Sequence, residues 1–430
     1  MLTRVESSKI ESAFSIEPDE ATRRRLVDWH TTYGPVYRVR RADGDGNQDW
    51  VIHQPDAVRD VLARRSGQFT KGRGLDRVKI LLGNGIMVSE GDFWTRQQKR
   101  MQAAFRPKTL AEFNPMIFDE CVAEADRLRD RLDAERYVDI APHISELILI
   151  IVLKAIFGPD YETLVAREDN PFRLLTAEPT RDLSFARRFH ALTQQIGQLL
   201  ARRCDTSAAT FDFLGHLANS VVAGVMTERE AIDEVMTLIV AGHETTASAL
   251  SFAWHLLATH PDATARAQAA ADTVDEHRLR ATGGGERGQL DWIDHVVAET
   301  LRLYPPGWLL SRRALADVDA GGYRISAGEQ VYVSPYVLHR DASIWPRPTA
   351  FEPSRFERAL DRAKRFAYIP FAAGARRCIG EQLARIEMRT HLVTMLRRFT
   401  PCAAGDDPPA VDAAINLRPA GAIPIQFALR

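Results

Sequence analysis

An excess of charge of one sign is missing from this chain of 430 residues: 56 lysines and arginines offset 57 aspartates and glutamates, for a formal net charge of -1. No global field therefore draws it to nucleic acid or to an acidic membrane surface. Cysteine is scarce. Cys121, Cys204, Cys378 and Cys402 fall at no paired spacing, which argues against a disulfide framework and suits a reducing compartment. Residues 1–20 are polar and hold no apolar run suited to a signal peptide or a membrane span. Repeats and low-complexity tracts are lacking too. The loosest stretch, 282–289, holds Gly283, Gly284 and Gly285 but is too short to separate domains, and it reads as a loop between helices. What the chain has in quantity is apolar residues, 45% of the total, enough at this length for one large core or two smaller ones.

Periodicity supplies the outline. Strand-like runs at 36–40 and 50–53 flank Asp43, Gly44, Asp45, Gly46 and Asn47, which predicts a hairpin. From 92 to 157 the pattern is mainly helical, and 145–157 is almost wholly apolar, so that helix belongs at the centre. A membrane span is the rival reading, but the run is shorter than the ~20 residues a bilayer needs. Short β segments broken by Gly and Pro follow at 323–333, and 415–429 alternates like a terminal hairpin. The expected architecture is mainly α with small β-sheets (α+β), as a single domain over 1–430 whose first twenty residues form a flexible arm. Residues 227–260 read as one helix ~50 Å long. Thr227 and Glu230 make a capping box at its start, and Pro261 ends it. Its middle, Ala241-Gly242-His243-Glu244-Thr245-Thr246, breaks helical rules: Gly242 costs ~1 kcal/mol against alanine. The two threonines can draw carbonyls out of the ladder and open a kink.

One cysteine cannot be read as a buried apolar filler. Phe371, Gly374, Arg376, Cys378 and Gly380 surround it with arginine and glycine, and five specified residues in such a window arise by chance in roughly one chain in ten thousand. A helix over 380–399 follows, with Leu383, Ile386, Thr390, Val393 and Leu396 on one face and Pro401 as its stop. Glu299 and Arg302 sit three apart on another predicted helix, followed by Pro305-Pro306 and, further on, by Pro353-Ser354-Arg355-Phe356. With these motifs the chain resembles the cytochrome P-450 family of haem-thiolate monooxygenases, and the likeness covers nearly its whole length.

The resemblance implies haem b held between the long central helix and the cysteine-loop helix, with Cys378 as the thiolate ligand of its iron. Gly380 would keep the space between sulfur and the following N–H groups clear, and Gly374 would permit a tight turn. Phe371 would shield the sulfur from water, and Arg376 would meet a propionate. Trp94 matches another propionate contact, but its usual arginine or histidine companion is replaced by Gln98. Arg312 matches a further propionate arginine, with the adjacent Arg313 blurring the register. Glu244 and Thr245 match the distal acid–alcohol pair that relays protons and steadies bound dioxygen, whereas His243 would line the helix. Glu299, Arg302 and Arg355 would interlock as a buried triad beneath the haem. The family pocket would draw on residues 72–88, 170–189, 307–310 and 414–417. Ile86, Met87, Ala241, Trp308, Leu309 and Ile415 are its candidate walls, alongside Leu75, Ile80, Leu81, Leu82 and Val88, which suits a hydrophobic substrate such as a terpenoid, fatty acid or other lipophilic natural product.

Electrons from NAD(P)H would arrive through a separate ferredoxin or flavodoxin with its reductase, steered to the thiolate side by Arg96, Lys99, Arg100, Arg377, Arg385 and Arg389. The likeness is to soluble bacterial members, hence a cytoplasmic monomer without a membrane anchor. Two other readings stay open: a peroxide-using or rearranging haem-thiolate enzyme, and a haem-thiolate sensor without turnover. Neither needs the Glu244–Thr245 pair.

Overall fold

Helices pack around one long member at the centre of the computed structural model, which describes residues 8–430 apart from 11, 43–47, 75–77, 80–81, 133–135, 167–171, 173–182, 207–210, 362–363 and 406. The helices that position the site are α1 (Glu20–Tyr33), α2 (Gly91–Ala104), α3 (Asn114–Arg131), α4 (Ile140–Phe157), α5 (Glu228–Thr259), α6 (Asp291–Leu303) and α7 (Glu381–Leu396). The central α5 begins as its capping box dictates: Thr227 accepts the Glu230 N–H, and Glu230 returns a bond to the Thr227 N–H. Pro261 does more than stop it, since it opens the next helix, Pro261–Asp272, at a position where a missing N–H costs nothing.

Helix α4 lies along α5 and is buried over most of its length, which explains its continuous apolar sequence. The stretch Ile140–Val165 is long and apolar enough to cross a membrane, but 61% of its most apolar window is buried within the fold. At Gly242 the two helices pack closely: a Cβ there would sit 3.2 Å from Val152. The helix runs unbroken through 241–246, so Gly242 serves close packing and the expected kink does not interrupt α5.

Beside the helices lies a six-stranded sheet, in the order Ser8–Ile10, Val36–Arg40, Gln48–Ile52, Gln330–Val333, Leu310–Ala314, Phe69–Lys71. The pairing of Val36–Arg40 with Gln48–Ile52 is antiparallel; the turn at 43–47 lies outside the described residues. Some of the expected flexible arm is ordered, because Ser8–Ile10 pairs with Tyr37–Val39 and both Ile10 and Ile16 are buried. The C-terminal expectation changes as well. The hairpin is Val411–Ala413 with Leu417–Pro419, whereas Pro424–Leu429 pairs with Phe399–Ala403. That last strand contains Pro401, so α7 ends at Leu396, before the proline, which sits on a sheet edge where its lacking N–H is tolerated.

Candidate active site

Between α5 and α7 lies a cavity of about 790 Å³. Cys378 opens into it from a loop built to hold one conformation. The Cys378 N–H donates to the Phe371 carbonyl at 2.9 Å and Arg377 N–H to the Gly374 carbonyl at 3.1 Å. Gly374 has φ +73°, and a Cβ there would fall 1.9 Å from the Leu62 carbonyl oxygen, so only glycine fits. Gly380 is a different case. A Cβ there would lie 3.9 Å from both the Cys378 sulfur and Phe105, in ordinary contact, so protein atoms alone do not demand glycine. The cap residue Gly380 offers the start of α7 no side-chain acceptor, and the N–H groups of Gly380 and Glu381 point to the Cys378 sulfur instead. Burial pushes the thiol pKa up; those two N–H groups, aided by Arg377, pull the other way while the Glu381 charge opposes them. Phe371 lines the same cavity, with the Arg385 guanidinium 5.1 Å from its ring centre.

On one side of the cavity, cations outnumber their partners. Arg376 pairs with Glu90 and lies 4.5 Å over the Trp94 ring. Its Nη1 is buried with no protein partner among the described residues. Arg312 stands close by, its pKa brought down to about 10 by burial and by repulsion from Arg376, with Glu90 opposing. Lys71 is brought down to about 7, by burial first and Arg376 second. Arg376 and Arg312 share Glu90 while Lys71 also has Glu234 near it, so the unpartnered Arg376 nitrogen calls for further anionic oxygen, and a haem with two propionates would meet that demand with Cys378 as its iron ligand. The donor set fits haem. Gln98 lines the cavity but gives its amide to the Ala375 carbonyl at 2.7 Å, so it braces the cysteine loop and is not aimed at the cation cluster.

On the other side, Thr245 faces the cavity and donates its hydroxyl to the Ala241 carbonyl at 2.9 Å, leaving the oxygen free to accept. Glu244, the next residue, does not line the cavity. It is held at the rim by Arg418 at 3.1 Å and by the Asn416 amide at 2.9 Å, while Arg418 also bonds Asp412 at 2.9 Å. His243 points away, its Nε2 within 3.0 Å of the Ser145 hydroxyl and carbonyl on α4; burial lowers its pKa.

Ile86, Met87, Ala241, Leu309 and Ile415 line the cavity as expected, but Trp308 does not. Its indole is fully buried and donates to the Ala414 carbonyl at 2.8 Å, a strut under the hairpin tip that carries Ile415 and Asn416. Leu82 is buried elsewhere, and Val88 packs into the core. Leu75, Ile80, Leu81 and most of 170–189 lie outside the described residues.

Beneath the cavity, Arg302 bonds Glu299 through two nitrogens at 2.7 and 2.8 Å. It also donates to the carbonyls of His339, Pro348 and Ala350. Arg355 reaches the same Glu299 at 3.2 Å. Glu299 and Arg302 are wholly buried.

Several groups in and around the cavity escaped the sequence reading: Lys71, Glu90, Arg418 and Glu387; Asn416 and Thr246 stood out only as part of wider stretches. Glu387, on α7, is buried, and burial raises its pKa to about 8 with Thr246 opposing. Its spacing from Cys378 offered a weak signal; the others are joined only by long-range contacts.

The comparisons with known proteins agree with this geometry. The family model described as Cytochrome P450 matches residues 10–423. Two relatives from Streptomyces melanosporofaciens are Cyclooctatin synthase, 32% identical over 80% of this chain and 79% of its own, and Cyclooctat-9-en-7-ol 5-monooxygenase, 30% identical over 85% and 82%. Putative cytochrome P450 132 of Mycobacterium tuberculosis (strain ATCC 25618 / H37Rv) is 27% identical over 86% of this chain and 85% of its own. A family match over nearly the entire length, on a fold that sets a lone cysteine against an excess of buried cations, means that the chain belongs to the cytochrome P450 family, as a haem-thiolate monooxygenase using dioxygen and electrons from NAD(P)H through redox partners.

Proposed function

We propose that this enzyme hydroxylates a lipophilic terpenoid. The carrying observation is the wall made by Ile86, Met87, Ala241, Leu309 and Ile415, apolar side chains ranged around a cavity into which both Thr245 and Cys378 open. Such a lining takes its free energy from buried apolar surface and leaves orientation to a few polar groups. Thr245 and Asn416 are among the groups available for that. The similarity to Cyclooctat-9-en-7-ol 5-monooxygenase favours a terpenoid over a fatty acid.

Haem, when bound, supplies the activation of dioxygen; the chain supplies position and protons. Cys378 and Arg376, Arg312 and Lys71 would hold the group at its iron and its propionates. Glu244 takes protons at the rim, where Arg418 and Asn416 hold it, and passes them toward the Thr245 oxygen. The apolar wall keeps bulk water from the substrate. Thr245→Ala is expected to retain haem while diverting reducing equivalents to peroxide; unchanged coupling of NAD(P)H oxidation to product would refute that role.

The electron donor on this reading is an acidic ferredoxin or flavodoxin. Arg96 and Lys99 are exposed and carry no ion pair among the described residues. Arg377 and Arg385 share Glu381, Arg389 is committed to Asp294, and Arg100 bonds Gln97. The docking patch therefore rests on fewer free cations than the sequence suggested.

The test is a spectral titration of the ferric protein with cyclooctat-9-en-7-ol, palmitate and progesterone, followed by turnover with a ferredoxin and its reductase. A low- to high-spin shift and a hydroxylated product with the terpenoid support the proposal. A shift with palmitate or progesterone alone overturns the terpenoid assignment.

A further inference from the structure

The loop that carries Ile86 and Met87 into the cavity is fastened at unusually many points. Both main-chain groups of Ile86 are taken: its N–H donates to Glu234 at 3.1 Å, and its carbonyl accepts from the Lys71 ammonium at 3.0 Å. Lys71 also donates to the Ser89 carbonyl at 2.8 Å. Two residues earlier, the Asn84 N–H donates to Asp233 at 2.8 Å. Within the loop, the N–H groups of Val88 and Ser89 both return to the Gly85 carbonyl. Glu234 is wholly buried, and its second oxygen has no protein partner among the described residues, so the carboxylate is devoted to this one loop contact.

The approach is so close that only glycine is tolerated at two loop positions. A Cβ at Gly83 would fall 2.2 Å from an Asp233 carboxylate oxygen, and one at Gly85 would fall 2.1 Å from the Thr237 hydroxyl. Positions 234, 237, 241 and 245 follow one another along a single face of α5, at the spacing of successive helical turns. Thr237, Ala241 and Thr245 line the cavity, so the acids that grip the loop continue the stripe on which the substrate wall stands.

We propose that Glu234 and Asp233 are specificity-determining residues, which fix the height of the Ile86–Met87 wall above α5 and thereby the size of molecule the cavity accepts. Neither acid reaches the cavity itself; both act through the loop and are positioning residues. The inference rests on the reading of this cavity as the substrate pocket, and it adds what sets its shape.

The experiment uses the haem-loaded full chain and compares Glu234→Met, which keeps bulk but loses the acceptor, with Glu234→Gln, which retains an acceptor oxygen. Hydrogen–deuterium exchange across 83–89 reads the clamp directly: Glu234→Met is expected to exchange about tenfold faster than wild type, with Glu234→Gln close to wild type. Titration of the ferric proteins with imidazole and with 4-phenylimidazole, followed by the Soret shift of nitrogen ligation, reads the cavity. The affinity ratio is expected to move about fivefold toward the larger azole in Glu234→Met and to be restored in Glu234→Gln.

Unchanged exchange in Glu234→Met overturns the clamp. Faster exchange with an unchanged azole ratio overturns the link between clamp and specificity, as does a Gln variant that behaves like Met. If Glu234→Met is recovered without haem, Asp233→Ala, which removes the Asn84 contact together with an exposed Arg229 ion pair, takes its place with the same expectations. Failure of either azole to ligate the wild-type iron would instead sink the cavity reading itself, a separate outcome visible before any variant is made.

Discussion

Two carboxylate–guanidinium clusters in this molecule use the same chemistry to opposite ends. Glu299 with Arg302 and Arg355 is closed off: the first two side chains have no solvent exposure, and each Glu299 oxygen is bonded. Glu244 with Arg418 and Asp412 is open, with side chains between 35% and 40% exposed. Burial decides what each can do. Charges removed from water survive only when every member is paired, so the first cluster is rigid and its loss is expensive. Charges at a wet rim are screened and gain little from one another, so the second can let go and re-form. A foundation beneath the cavity suits the former; the proton-carrying role proposed for Glu244 suits the latter.

The largest expected effect comes from opening the closed cluster. Glu299→Ala leaves Arg302 wholly buried without its anion and Arg355 with Glu352 alone, at a cost of about 3–5 kcal/mol. That is a large share of a domain's whole margin. The expected outcome is apoprotein or aggregate, read from the haem-to-protein absorbance ratio and by gel filtration. A soluble variant with full haem content would break the contrast between the two clusters.

Glu387 lies between the extremes, buried like Glu299 but with one carboxyl oxygen that has no partner among the described residues. Its folded pKa is about 8, against an ordinary value of 4.5, because burial disfavours the charge. A carboxyl whose pKa rises on folding contributes stability that is complete below the unfolded value and is lost as pH climbs through the folded one. Glu387→Gln removes that loss. Its melting temperature should therefore gain on the wild type as pH rises from about 5 to about 8, since each unit of pKa separation is worth about 1.4 kcal/mol. A gap between the two proteins that stays constant with pH would show Glu387 to be no more buried, electrostatically, than the rim.

Which features were legible in the sequence follows from how far apart the partners lie along the chain. The capping box of α5 joins Thr227 to Glu230, and the cysteine loop spans ten positions, so a short window holds the whole pattern. Two of the three triad residues form an i, i+3 pair. The rim and the loop clamp are another matter: Glu244 and Arg418 stand 174 residues apart, Ile86 and Glu234 148. No local rule pairs them. Trp308 shows a subtler failure. The resemblance placed it in the cavity wall, but its indole N–H must find an acceptor when buried, and the Ala414 carbonyl drew it underneath. Gly242 misled in the same way, because a glycine inside a helix reads as weakness until the neighbouring helix, with Val152, is seen to need the room.

The smallest effect on stability, and the sharpest test of the contrast, belongs to Arg418→Ala. Removing the rim arginine should shift unfolding by no more than about 1 kcal/mol, in keeping with exposed pairs generally. Its functional effect should be larger than its structural one, because Arg418 and Asn416 together set where the Glu244 carboxylate points. With cyclooctat-9-en-7-ol as the trial substrate, product formed per NAD(P)H should fall several-fold, toward the value for Glu244→Gln, where loss of a general acid costs on the order of a hundredfold in proton transfer. Arg418→Lys, which keeps the charge but not the fork, should recover some of the coupling. Substrate affinity discriminates between causes. The hairpin tip lines the cavity through Ile415 and Asn416, so a collapsed hairpin would weaken binding along with coupling. Lower coupling at unchanged affinity isolates the carboxylate's position as the cause; equal losses in both would make the rim cluster another structural support, and the difference between the two clusters one of degree.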